Sequence, residues 1–194
     1  MRYLLPIFFL GFVSISTAQT DSITEFDSLL SRAHLTYTLP EGHKDLDIEF
    51  LHKIPHNKAI GPTDSSYQIR YWIRPLDTWV ADHNKKSKKE KKNSMQPNAL
   101  CKSMMMLAVL DASNNKSQGY QESQYPELTK QTYNADWEAS TIVESGWPQV
   151  AFKYCYIWCL HKDDIGDVYI YVLADKKEDF SKIIGNISTS IKFK

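Results

Sequence analysis

Between residues 67 and 74 apolar and polar positions alternate: Tyr67, Ile69, Tyr71 and Ile73 on one side, Gln68, Arg70, Trp72 and Arg74 on the other. A period of two marks a strand with one buried face, and Pro75 ends it. The polar set predicts that the second face is open to solvent, as in an antiparallel sheet covered on one side. From 150 to 161 both faces are apolar: Phe152, Tyr154, Tyr156, Trp158 and Leu160 on one, Cys155, Ile157 and Cys159 on the other. That pattern predicts a central strand covered on both sides. Residues 162–166 read as a short hairpin loop, and 168–173 as the returning strand. Further strands are expected over 35–39, stopped by Pro40-Glu41-Gly42, and over 46–51 and 138–144.

Helical spacing governs the ends and the middle. Over 22–33, Ile23, Phe26, Leu29, Leu30 and Ala33 form one face, and Ser22 with Glu25 forms a capping box. Pro97 opens a second helix, in which Ala99, Leu100, Met104, Leu107, Ala108 and Asp111 follow and 104–110 is the buried side. Pro126 starts a short helical turn that runs to about 133. Asp175 and Glu178 cap a last helix, whose face is Phe180, Ile183, Ile184, Ile187 and Ile191. Hairpin connections dominate and no βαβ unit recurs. The expected class is therefore α+β, an antiparallel β-sheet packed by helices.

The N-terminus changes where this fold is expected to work. Met1-Arg2 is a short positive start, 3–13 is apolar, and Ser16-Thr17-Ala18 supplies small residues before Gln19. This is the layout of a secretory signal peptide over 1–18, shorter than the ~20 apolar residues of a membrane span. No cysteine follows the apolar run, so no lipid anchor is expected there. The reading is one domain over 19–194, secreted or periplasmic, with no second stretch of transmembrane length. Lys plus Arg and Asp plus Glu each number 23, a balance that argues against a nucleic-acid partner. The run KKSKKEKK over 85–92 is expected to be a solvated loop or frayed helix end.

The segments FDSLLSRAHLTYTLPEG, IRYWIRPLD, YNADW and FKYCYIWCLHKDDIGDVYIYVLADKKEDFSKIIGNISTSIKF resemble those of a family of uncharacterised secreted Bacteroidetes proteins. The overall plan also resembles the PsbP-like fold. The resemblance implies a PsbP-like α/β sandwich and carries over no catalytic residue; a fold does not by itself give an activity.

Arg70, Trp72 and Arg74 are the first candidate site. Two guanidiniums around an indole can hold a carboxylate or phosphate; the plainer alternative pairs them with a neighbouring acid such as Glu138 or Glu144. Asp136 and Trp137 are the second, as a ligand-contacting edge; their plainer role is a turn in which Asp136 caps backbone amides and Trp137 anchors the helix above. His161, Asp163, Asp164 and Asp167 cluster at the hairpin without the spacing of a calcium loop. His52 and His56 are four apart, but Pro55 opposes the helix that would align them. Three cysteines remain. Cys155 and Cys159, about 13 Å apart along a strand, cannot reach the under ~7 Å of a disulfide. Only Cys101 could bridge to one of them, and the expectation is three packing residues. No G-x-S-x-G, H-E-x-x-H or phosphate-binding glycine loop occurs. No metal and no cofactor is expected. The sequence therefore reads as a non-catalytic binding or interaction module for a protein partner or a small anionic ligand. The alternative is a small envelope hydrolase whose active site the sequence does not locate.

Overall fold

The computed structural model describes residues 24–48, 55–116, 119–148 and 150–194. The chain runs α1 (Glu25–Arg32), β1 (Leu35–Tyr37), β2 (His43–Asp45), β3 (Lys58–Pro62), β4 (Tyr67–Pro75), α2 (Asp77–Lys85), α3 (Lys88–Lys92), α4 (Leu100–Ala112), β5 (Gln121–Glu122), α5 (Pro126–Tyr133), β6 (Trp137–Glu144), β7 (Tyr154–Lys162), β8 (Gly166–Ala174), α6 (Phe180–Ile187) and β9 (Ile191–Phe193). The class is α+β. Seven antiparallel strands lie in the order β2-β3-β4-β8-β7-β6-β5, and β1 pairs with β9 in a separate ribbon. Of the sequence features named above, the 1–18 leader, Ser22, Ile23, His52 and residues 49–51 lie outside the described residues.

Both faces of the β7–β8 hairpin are apolar, so the sheet needs cover on both sides. On one face Trp158, Leu160, Val168, Ile170 and Val172, with Ile69, Tyr71 and Ile73 of β4, meet Phe26 of α1, the α6 residues Phe180, Ile183 and Ile187, and the β1–β9 ribbon. On the other, Cys155, Ile157, Cys159, Tyr169, Tyr171 and Leu173 meet Met105, Val109 and Ala112 of α4, with Trp147 alongside. Each fully buried Ile, Val or Leu contributes about 1.5–3 kcal/mol. The hairpin turn brings α1 close as well: a Cβ at Gly166 would stand 3.0 Å from the Arg74 carbonyl oxygen and 3.2 Å from Ala33 Cβ.

The second face of β4, which its polar residues predict to be open to solvent, is instead buried at Arg70 and half-buried at Gln68, Trp72 and Arg74, with Trp72 packed against the cluster that α4 forms on this face. The helix itself turns differently from the expected face. Its buried residues are Cys101, Met105, Val109 and Ala112, while Leu107 is 56% exposed. LCKSMMMLAVLDA is apolar on almost every side, so spacing alone does not choose the buried stripe. At the C-terminus α6 ends at Ile187, and Ile191 belongs to β9, opposite Tyr37. A turn through Ser188 and Ser190 closes the helix before that strand. Ile183 is buried and Ile184 only partly so. α1 starts from Thr24, whose hydroxyl accepts from the Asp27 amide. In the lysine run, Ser87 and Glu90 form a capping box for the exposed one-turn helix α3. No helix among the described residues is long and apolar enough to cross a membrane.

Candidate functional site

Antiparallel register lines side chains up in rows across the sheet. On the face under α4, the row at the hairpin end is Trp137 of β6, His161 of β7, Asp167 of β8 and Arg74 of β4. The next is Ala139, Cys159, Tyr169 and Trp72, and the third is Thr141, Ile157, Tyr171 and Arg70. Two of these rows carry the polar chemistry of the face.

In the first row Asp167 is fully buried and holds both neighbours. Its Oδ1 accepts from His161 Nδ1 at 2.6 Å and its Oδ2 from Arg74 Nη1 at 3.0 Å. The other imidazole nitrogen, Nε2, lies 3.0 Å from Asp163 Oδ1. Burial alone would lower the His161 pKa; hydrogen bonds to Asp167 and then Cys101, with the Asp167 charge, outweigh it and push it up to about 10. The ring is thus an imidazolium that donates to two carboxylates at neutral pH.

Cys101 completes the cluster from the first turn of α4. Its Sγ donates to the Asn98 carbonyl at 3.2 Å, and the ligating atoms of Cys101, His161 and Asp167 all lie within 4.8 Å of one another. Three contacts fix this end of α4. Asp164 sits in the left-handed region (φ 61°) at the hairpin tip, and its amide donates to Asn98 Oδ1 at 2.8 Å. Asn98 Nδ2 returns a bond to Asp164 Oδ1 at 3.2 Å, and the Tyr169 hydroxyl donates to the Cys101 carbonyl at 3.1 Å. A thiol, an imidazole and a carboxylate are the donor set of a nucleophilic triad or of a metal centre. Cys101 and His161 are each 2% exposed, and the surface grooves of about 420, 520 and 410 Å³ are lined by other residues. That burial keeps the sulfur from substrates in solution. Cys155 and Cys159 lie deeper in the apolar rows, where burial pushes both thiols up. All three cysteines are free.

In the third row Arg70 is 3% exposed. Its Nη2 donates to Gln68 Oε1 at 3.1 Å, while Nε and Nη1 are buried with no hydrogen-bond partner among the described residues. Burial pulls its pKa below the ordinary guanidinium value, opposed by the Cys155 thiol. Its flanking residue Trp72 and its cross-strand neighbour Tyr171 line a groove of about 350 Å³ together with Met104, Leu107, Ala108, Asp111 and Pro55. Trp147, whose ring lies 6.2 Å from that of Tyr171, has its indole N–H buried and likewise unpartnered.

Arg70, Trp72 and Arg74 thus share a face, as the alternation predicts, but not one site. Arg74 pairs with Asp167 rather than with Glu138 or Glu144, and its guanidinium lies 5.4 Å from the Trp72 ring. Glu138 is on the opposite face, where it accepts from Trp158 Nε1 at 2.9 Å. Asp136 is exposed rather than buried: it pairs with Lys130 and accepts the Asp163 amide at 3.0 Å. Trp137 is half-buried beside Tyr120, with Lys102 Nζ 5.7 Å from its ring. Both therefore brace the hairpin that carries His161. Of the three hairpin aspartates, Asp163 and Asp167 share His161, Asp167 also holds Arg74, and Asp164 pairs with Asn98.

Cys101 was legible only as a buried small residue, since its meeting with His161 depends on where α4 docks. The His161–Asp167 pair had a signal: a loop over 163–165 places these two residues opposite each other. Comparison of the chain with protein-family models, with curated proteins and with solved structures finds no match.

Proposed function

We propose that the protein is a non-catalytic binding module, exported from the cytoplasm, that takes a small ligand with a carboxylate head and an apolar body. The observation that carries this reading is Arg70. An unpaired buried guanidinium is costly to retain, since removing a charge from water costs several kcal/mol after relaxation. Its Nε and Nη1, without a partner among the described residues, suit a carboxylate, which accepts bidentate bonds from arginine. The ring of Trp147 lies beside that of the same tyrosine, Tyr171, and its indole N–H is likewise buried without a partner among the described residues. Arg70 does not itself line the groove of Trp72, Tyr171, Met104, Leu107, Ala108, Asp111 and Pro55 but stands beside its floor residues Trp72 and Tyr171, so the groove supplies apolar lining for the body of a ligand whose head displaces the cover over Arg70.

Titration of the purified protein with octanoate and with octanol, followed by tryptophan fluorescence, tests this directly. The reading expects saturable octanoate binding, at least about tenfold weaker binding of octanol, and loss of octanoate binding in Arg70→Met with unchanged near-ultraviolet circular dichroism. Equal binding of acid and alcohol, or of octanoate by wild type and Arg70→Met, contradicts it. Export is checked separately by intact mass of the envelope fraction, which is expected to begin at Gln19; a full-length cytoplasmic protein contradicts that part.

A further inference from the structure

We propose that Cys101, His161 and Asp167 form a zinc site that ties the start of α4 to the β7–β8 hairpin. The three donors come from three elements, α4, β7 and β8, and their ligating atoms lie within 4.8 Å of one another. One sulfur, one nitrogen and one oxygen are the ligand types of zinc, whereas calcium and magnesium take oxygen ligands. All three residues are buried, so an ion held there is shielded from bulk solvent.

The surroundings also orient the ligands. A metal-binding histidine ordinarily donates its second ring N–H to a carboxylate, which fixes the ring. With Nδ1 toward the ion, His161 Nε2 already has Asp163 Oδ1 at 3.0 Å. Asp167 has a matching division of labour: Oδ2 accepts from Arg74 at 3.0 Å, and Oδ1 faces His161 Nδ1 at 2.6 Å. An ion entering there replaces the proton between Oδ1 and Nδ1 and the thiol proton of Cys101, and both protons leave to solvent. Asp163, whose side chain is 62% exposed at the hairpin tip, is the member of the surroundings nearest solvent. A water completes the four ligands zinc prefers. The site is separate from the Trp72–Tyr171 groove, since no residue of the cluster lines that groove.

The test uses the full chain after dialysis against a chelator, with Zn²⁺ and Co²⁺ as probes. The proposal expects one zinc per chain by calorimetry and a thiolate-to-cobalt charge-transfer band in the wild type. Cys101→Ser abolishes the band and Cys159→Ser keeps it. Asp163→Asn, which leaves every ligand in place, weakens zinc binding by about 10–100-fold. A wild type without stoichiometric zinc, a wild type whose cobalt complex lacks the thiolate band, or a band that survives Cys101→Ser overturns the proposal. The first two readings need no variant, so a failure of Cys101→Ser to fold leaves the proposal open to refutation.

Discussion

Arg70 and Arg74 stand on the same face of the same strand and differ in what lies opposite. Across from Arg74, β8 presents Asp167; across from Arg70 it presents Tyr171. Arg74 consequently belongs to a paired row in which Asp167 joins it to His161. Arg70 has one neutral contact, and its buried Nε and Nη1 have no partner among the described residues. One cation is held by the fold itself, whereas the other is desolvated without a counter-charge. The difference separates a structural arginine from one available to an incoming anion.

The largest effect is expected where the paired row loses its centre. Asp167→Ala leaves the buried His161 and the partly buried Arg74 without their shared carboxylate and is expected to destabilise by about 3–5 kcal/mol, read from urea unfolding. A loss below about 1 kcal/mol would mean that the row contributes no more than surface ion pairs do. Arg74→Met removes one arm only. With its side chain 17% exposed, the expected loss is about 1–3 kcal/mol.

The pH dependence sharpens the same point in the metal-free protein. The folded-state pKa of His161 is raised from 6.5 to about 10. Its contribution to stability is therefore fully present below about pH 6.5 and is lost as pH rises through about 10. Between these limits stability is expected to fall with pH, by at most about 1.4 kcal/mol per unit for one proton. His161→Gln is expected to flatten that slope, and an unchanged slope would contradict the imidazolium. Smallest of all is the effect at Lys89, an exposed cation in α3 with water around it. Lys89→Ala is expected to leave the unfolding midpoint unmoved; a shift as large as that of Arg74→Met would show that charge number, not burial, governs these effects.

Much of this sheet can be read from residue order. The two-sided β7, the hairpin at 162–166 and the shared side of Arg70, Trp72 and Arg74 all follow from a period of two. The short β3 does not: Lys-Ala-Ile-Gly-Pro has two strand-weakening residues in five and is held by pairing to β4. The buried side of α4 was hidden for the opposite reason, since an almost uniformly apolar helix has no contrast to read. The site divides in the same way. His161 and Asp167 are brought together by local hairpin geometry, but Cys101, Arg70's missing counter-charge and the cover over β4 depend on where α4 docks, which no local pattern specifies.

The most direct test of the contrast is the unfolding free energy of Arg70→Met measured in urea beside the wild type. A cation buried without a partner is better replaced by an apolar side chain of similar length, so Arg70→Met is expected to be more stable, by about 1–3 kcal/mol. Destabilisation of Arg70→Met to the same extent as Arg74→Met would contradict the account, because both arginines would then be held by the fold.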